Sequence, residues 1–161
     1  MIVVSDTSPI SNLFTIGCLE IMQKLFGTVI LPQAVYTELL VLAEKGRDIS
    51  EIVSAGWIEV RTAQDRVEVA RLLTLLDAGE SEAIVIAHEI KAELVLMDDS
   101  KGRKIAKAEG LYVVGTLGLL LEAKKRNIID LVMPIVDDLR VRAHFRISDV
   151  LYQEVLTQSN E

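Results

Sequence analysis

The strongest constraint on the fold is the regular alternation of short apolar runs with helix-forming segments along all 161 residues. The apolar runs are rich in Val, Ile and Leu, which is typical of strands buried on both faces of a parallel sheet. This alternation predicts an α/β protein, in which a mainly parallel central sheet carries helices on both faces. The predicted strands cover residues 2–5, 28–31, 57–60, 94–97 and 111–114.

Start and stop signals place helices between these strands. Ser8 followed by Pro9 predicts a helix start, and Pro32 opens a long helix that Gly46 closes. The sequence Asp77-Ala78-Gly79 predicts a break between two helices. The predicted helices run from Ser8 to a stop at Gly17, and over residues 19–26, 33–45, 49–55, 64–76, 80–91, 100–109, 116–126, 129–141 and 147–157.

Length and composition exclude several classes of protein. We expect residues 1–161 to form a single domain, with the C-terminal helix (about 147–157) docked on it. The net charge of −7 argues against non-specific coating of nucleic acid, and a single cysteine, Cys18, excludes a disulfide framework. Because no apolar run reaches the ~18 residues that span a bilayer, and no signal peptide precedes the first strand, we expect a cytoplasmic protein without a membrane partner.

Acidic residues follow two of the predicted strands. Asp6 comes directly after the first strand, and Asp98 and Asp99 come directly after the fourth. In a parallel sheet both strand ends lie at the same edge, which is where open α/β sheets bind ligands. Further acids lie on nearby helices: Glu38 in the long helix after Pro32, and Glu80 and Glu82 after Gly79.

Several carboxylates at one edge of a sheet repel each other and raise each other's pKa. A divalent cation removes this penalty, and oxygen ligands suit Mg²⁺ or Mn²⁺. Such an ion can activate water and hold a phosphate oxygen, so the acids together favour phosphodiester hydrolysis.

Each acid also has a structural interpretation when it is taken alone. Asp6 can cap a helix, and Glu80 and Glu82 suit a helix N-terminus. Glu38 can be a solvated helix residue, and one of Asp98 and Asp99 can cap the next helix. Only the joint placement of the acids favours a site.

The segments that contain these acids resemble segments of the PIN-domain nucleases, most closely those of the prokaryotic branch related to VapC-type toxins. The similar segments are VVSDTSPISNL, PQAVYTELL, LDAGESEAIVIAHEI and LVLMDDSKGRKIAKAEGLYVVGTLGLLLEAKKRNII. The resemblance implies a three-layer α/β/α sandwich and a Mg²⁺- or Mn²⁺-dependent ribonuclease acting on single-stranded RNA. It also implies a homodimer and, if the protein is the toxin of a toxin–antitoxin pair, a small antitoxin partner.

Family roles carry over to particular residues. The resemblance implies that four acids are the catalytic residues and metal ligands, with Asp98 and Glu80 as alternates, and that five other residues contact the substrate. The four acids are Asp6, Glu38, Glu82 and Asp99. The substrate contacts are Thr7, Ser8, Asn12, Lys101 and Arg103.

Two other functions remain open at this stage. Met97 stands where the family often has a threonine, which keeps a non-catalytic PIN-like module that acts through a protein partner as an alternative. Asp6-Thr7-Ser8 after a strand loosely suggests a phosphatase with an aspartate nucleophile, although Ser8 occupies the position where such an enzyme needs a second acid.

Overall fold

The computed structural model describes residues 1–161 and confirms the predicted α/β class, with one five-stranded sheet and ten helices. The strands lie within two residues of the predicted ones. They are β1 (Val3–Ser5), β2 (Val29–Pro32), β3 (Ile58–Arg61), β4 (Leu94–Leu96) and β5 (Val113–Val114).

The helices fill the intervals between strands and the chain after β5. They are α1 (Thr7–Thr15), α2 (Glu20–Phe26), α3 (Gln33–Glu44), α4 (Ser50–Val53), α5 (Arg66–Leu73), α6 (Ala78–Glu89), α7 (Ser100–Ala108), α8 (Thr116–Lys125), α9 (Met133–Arg142) and α10 (Asp149–Gln158). None of them is long and apolar enough to cross a membrane.

All neighbouring strands are parallel, in the order β3-β2-β1-β4-β5. The chain builds outward from β1 to β3 and then crosses to the other side of β1, so the order reverses between β1 and β4. Ser5 pairs with Leu96, and the backbone N–H of Asp6 donates to the Leu96 carbonyl oxygen at 2.8 Å. The first residues after β1 and β4 therefore meet at the switch point of the sheet, where open α/β folds bind ligands.

Alternate residues of β1, β2, β4 and β5 contribute to two apolar cores, one on each face of the sheet. On β1, Val3 belongs to the larger core and Val4 to the smaller one. The smaller core also holds α6, which is buried on every side from Gly79 to Ala87. The stretch from Ala83 to Ala87 is apolar on all sides and needs this environment, because it has no face suited to solvent. The result is a three-layer α/β/α arrangement, as predicted.

Two helix starts lie two residues or less from the predictions, and both shifts matter for the site. α1 begins at Thr7 and not at Ser8, so Asp6 is its N-cap residue, but the Asp6 side chain makes no capping hydrogen bond. α6 begins at Ala78 and not at Glu80, because Asp77 and Glu80 form a reciprocal capping box. The predicted break is thus the cap of α6, and Gly79 lies in the first turn of that helix.

The chain after α9 packs against the larger core. Val155 of α10 is buried there, and the side chain of Glu161 reaches the start of α9. It accepts hydrogen bonds from the N–H groups of Val132 and Met133 at 2.8 and 3.0 Å, and it pairs with Lys124 at 3.0 Å. These contacts tie the final residues to α8 and α9.

Candidate metal centre

Several acids lie near the carboxyl ends of β1 and β4, and we call this region, with Asp6, Glu38, Glu80, Asp98 and Asp99, the acidic edge. Asp6 lies directly after β1 and is only 5 % exposed. Burial raises the pKa of its carboxyl to about 7, and repulsion from Asp77, Glu38 and Asp98 adds to this effect against the opposing hydrogen bond from the Thr7 N–H. No lysine or arginine forms a salt bridge with Asp6. Because the Asp6 side chain makes no capping hydrogen bond to α1, its structural interpretation as a side-chain cap does not hold. Its negative charge also has no cationic partner in the chain.

Glu38 of α3 joins this edge through Thr7. The Thr7 hydroxyl donates to Glu38 Oε2 at 2.5 Å, which turns the glutamate toward the carboxyl end of β1. Because Glu38 is exposed, this contact and not burial fixes its direction. The structure thus brings together Asp6, Thr7 and Glu38, as the resemblance implies.

Glu80, the alternate in the sequence prediction, lies on the same edge and is 5 % exposed. Burial raises its pKa, and the carboxylates of Asp77, Asp6 and Asp99 raise it further against the hydrogen bond from the Asp77 N–H. Glu80 Oε1 accepts that bond at 3.2 Å, whereas Oε2 faces Gly102 of α7, where a Cβ atom would lie 2.8 Å away. The side chain spans from the start of α6 to the start of α7.

Glu82 has different neighbours. Its Oε1 accepts a hydrogen bond from the Ala34 N–H at 3.3 Å, and its Oε2 lies 3.8 Å from a guanidinium nitrogen of Arg66. Glu82 therefore satisfies a free N–H in the first turn of α3 and has a cationic partner. The structure places Glu80, and not Glu82, against Asp6 and Asp99.

Asp98 and Asp99 diverge although they are adjacent. Asp98 accepts from the Thr116 N–H and hydroxyl, both at 2.7 Å, and from Asn12 Nδ2 at 3.3 Å. It joins the end of β4 to α1 and α8, which is a structural role. Asp99 caps α7 through one oxygen, accepting from the Gly102 N–H at 2.8 Å. Its other oxygen has no hydrogen bond within the chain.

Of the five predicted substrate contacts, three line one cleft and two do not. Ser8, Asn12 and Arg103 line a cleft of about 490 Å³ that also contains Asp98 and Asp99. Thr7 does not line this cleft, and its hydroxyl donates to Glu38. Lys101 is exposed and does not line this cleft.

Gly79 allows the close approach of α6 to Asp6. A Cβ atom at this position would lie 2.9 Å from Asp6 Oδ1 and 3.3 Å from a methyl carbon of Val35. Any side chain would therefore push the first turn of α6 away from the acidic edge. The positive end of the helix dipole lies at this turn and favours a carboxylate beside it.

The donor set fits a hard divalent cation. The acids of the acidic edge offer carboxylate oxygens, which suit Mg²⁺ or Mn²⁺. In the structure no three of these groups converge closely enough to form a ready coordination sphere. Glu38 nevertheless repels Asp6, and Asp6 and Asp99 repel Glu80, so a cation bound among these carboxylates would remove that repulsion.

Two residues that hold acids of the site were not among the predicted site residues. Asp77 and Thr116 hold Glu80 and Asp98 respectively, and neither was predicted to belong to the site. The spacing Asp77-x-x-Glu80 is the signature of a capping box and was a readable signal for the first. Thr116 is 18 residues from Asp98, so no local pattern connects them.

Comparison with known families agrees with this architecture. A family model described as PIN domain matches residues 2–161, which include every strand and helix that positions the acids. Comparison with curated proteins gives no match.

Proposed function

We propose that this chain, which belongs to the PIN-domain family, is a metal-dependent endoribonuclease that hydrolyses phosphodiester bonds of single-stranded RNA. PIN domains are typically metal-dependent nucleases, so the family supports the reaction class. The finer parts of the proposal, which are RNA as substrate and internal cleavage, rest on the resemblance and on the site.

One observation carries the proposal. Asp6 is buried at the switch point of the sheet among other carboxylates, and the chain supplies no cation to it. A fold gains nothing from an uncompensated buried carboxylate, because burial disfavours its charged form. Its presence is explained if a divalent cation is the missing partner.

The acids and Thr7 would have different roles at the metal. Asp6, Glu80 and Asp99 would hold the cation, and Thr7 would orient Glu38 toward it. A divalent ion bound there supplies charge stabilisation for the phosphate and an activated water. We propose Glu80 in place of Glu82 as the acid from α6, since Glu82 already has Ala34 and Arg66 as partners.

Cleavage of a labelled single-stranded RNA tests the proposal. The purified protein is assayed with Mn²⁺, with Mg²⁺ and with chelator, beside an Asp6→Asn variant. Asp130→Asn is the matched control, because Asp130 is exposed and far along the chain from the acidic edge. We expect metal-dependent cleavage that falls by about 10³-fold in Asp6→Asn, equivalent to ~4 kcal/mol of transition-state stabilisation.

Cleavage that survives in Asp6→Asn at the level of the control would contradict the proposal. It would point to a contaminating ribonuclease. Absence of both cleavage and Mn²⁺ binding would favour the alternative of a non-catalytic module.

We also propose, from the resemblance alone, that the protein is the toxin of a toxin–antitoxin pair, forms a homodimer and binds a small antitoxin. Light scattering of the purified chain tests the dimer. Co-expression with the product of a neighbouring short reading frame tests the antitoxin, which is expected to co-purify and to suppress cleavage.

A further inference from the structure

A second cleft continues the one at the acidic edge. It has a volume of about 660 Å³, within the ~300–1,000 Å³ typical of ligand sites, and lies between α7, β5, α8 and α10. The two clefts share Asp98, Arg103, Gly115, Leu117 and Leu151, so they meet beside the proposed metal ligands. We call the second cleft the α7 groove.

One side of the α7 groove is cationic. Arg103, Lys104 and Lys107 line it, and none of them forms a salt bridge. Lys107 follows Lys104 by three residues and Arg103 by four, which places it beside both of them on the surface of α7. Asp98 is the only acid among the lining residues, and its oxygens are occupied by Thr116 and Asn12. In a chain with a net charge of −7, this is a local excess of positive charge.

Most of the other guanidinium groups in this protein already have partners. Arg47 and Arg140 lie over the rings of Phe14 and Tyr152. Five further arginines pair with carboxylates, namely Arg61, Arg66, Arg71, Arg126 and Arg142. The cations of the groove, in contrast, remain available for an anionic ligand.

The floor of the α7 groove is apolar. Val113 and Val114 of the edge strand β5 lie beside Leu117, Leu121 and Val155 of the surrounding helices. A groove with a cationic side and an apolar floor suits an unpaired nucleotide strand, whose phosphates are charged and whose base faces are apolar. A base-paired strand does not present its base faces in this way.

Gly115 sets the position of Arg103 where the two clefts meet. A Cβ atom on Gly115 would lie 2.5 Å from Arg103 Nη1 and 2.9 Å from Asp98 Oδ1. The guanidinium group therefore lies directly over the backbone of Gly115. A guanidinium group here can contact a phosphate through two parallel hydrogen bonds.

We propose that the α7 groove binds the unpaired nucleotides that flank the cleaved bond, with Arg103 contacting the phosphate nearest the acidic edge and Lys104 and Lys107 contacting further phosphates. This inference rests on the proposed function for its substrate class. It adds that recognition extends beyond the metal centre, along α7 and toward α10.

Binding measured without cleavage tests the groove separately from the nuclease activity. The probe is a fluorescent unstructured RNA of about 12 nucleotides, within the ~4–16 nucleotides of single-strand sites. All proteins carry Asp6→Asn to prevent hydrolysis. The groove variant is Lys104→Glu/Lys107→Glu, and Lys24→Glu on α2 is the control, because Lys24 is exposed and unpaired.

We expect the Kd of the groove variant to rise by about tenfold, and the Kd of Lys24→Glu to stay unchanged. The salt dependence should also decrease, since each phosphate contact on a single strand contributes ~0.7 to the slope of log K against log salt. Loss of two contacts therefore lowers the slope by about 1.4. Unchanged thermal melting shows that the variant is folded, and Arg103→Ala provides a second, independent change.

Equal Kd values and equal slopes for the groove variant and the Lys24→Glu control would overturn the groove proposal. Groove-dependent binding of a poly-glutamate peptide, with RNA binding unaffected, would assign the groove to an acidic protein and also overturn it. Groove-dependent RNA binding with no metal-dependent cleavage by the unmodified protein would support the groove and contradict the nuclease.

Discussion

Two carboxylates of this protein are shielded from solvent but have opposite electrostatic surroundings. Asp6 at the acidic edge has its pKa raised to about 7, because burial and neighbouring acids oppose its charge. Desolvation also opposes the charge of Glu161, whose side chain is 10 % exposed, but hydrogen bonds from Met133, Val132 and Lys124 outweigh it and lower the pKa to about 2. The comparison shows that donors, and not burial alone, decide whether a carboxylate stabilises the fold.

The two regions therefore have different uses. Glu161 receives its donors from the chain and ties the last residues to α8 and α9. Asp6 lacks a cationic partner in the chain and is free to receive one from outside.

The largest effect is expected at Glu80. Glu80→Gln keeps the size of the side chain but removes its charge, and it should reduce cleavage of single-stranded RNA by about 10³-fold, as a lost metal ligand would. Glu82→Gln should retain much more activity, because Glu82 binds Ala34 and Arg66 instead. The two values of kcat/KM, measured side by side, decide between these acids. A larger loss in Glu82→Gln would make Glu82 the ligand from α6.

The next largest effect is expected on the stability of the fold, when Glu161 is substituted. Glu161→Gln should lower the free energy of unfolding by about 1–3 kcal/mol, because buried N–H donors lose a charged acceptor. Urea denaturation measures this loss. The matched control is Glu154→Gln on α10, since Glu154 is exposed and makes no hydrogen bond or salt bridge. Equal midpoints for the two variants would show that the Glu161 contacts do not hold the fold.

The same contact predicts a pH dependence. The pKa of Glu161 is lower in the folded chain than its ordinary value of 4.5, so its stabilisation is complete above that value. It should decrease as the pH falls from about 4.5 toward 2, where the folded state also becomes protonated. Melting curves of the unmodified protein and Glu161→Gln should converge over this range. A difference that stays constant with pH would assign the stabilisation to packing.

A smaller effect on the free energy of unfolding, in the opposite direction, is expected when Asp6 is substituted. Asp6→Asn should raise the free energy of unfolding in chelator by about 1 kcal/mol at pH 8, because it removes a buried charge without a partner. Since the pKa of Asp6 is raised from its ordinary value of 3.8 to about 7, this gain should decrease as the pH falls below about 7. It should vanish below 3.8, where the carboxyl is neutral in both the folded and the unfolded chain.

Added Mn²⁺ provides a second comparison between the unmodified protein and Asp6→Asn. It should stabilise the unmodified protein, and not Asp6→Asn, because only the former retains the acid that the ion needs. Asp130→Asn again provides the control, with no expected change in its response under either condition. Destabilisation of Asp6→Asn in chelator at pH 8 would contradict the view that its charge is unfavourable in the fold.

Much of the architecture was readable from local patterns. The apolar runs predicted all five strands, and the parallel order placed Asp6 beside the end of β4, as expected. Helix starts were less accurate, because the same residue types serve as caps and as breaks. Asp77-Ala78-Gly79 was interpreted as a break, whereas Asp77 caps α6 and brings Glu80 to the acidic edge.

The sequence did not indicate which of the acids face the site. Glu80 and Glu82 differ by two positions on a helix, which turns their side chains toward different neighbours. Asp98 and Asp99 also separate, one toward Thr116 and the other toward Gly102. No local pattern indicates which acid faces the site, because the packing of distant segments decides it.

The sequence by itself determined the α/β class, the acidic character of the strand ends and the resemblance to PIN-domain nucleases. Periodicity and capping are local properties, and local properties can be read along a chain. Only the tertiary structure decided that Asp6 and Glu80 are buried near each other, and that the free cations of α7 line a groove that meets the cleft beside Asp98 and Asp99. These results depend on distance and burial, which arise when remote segments pack together.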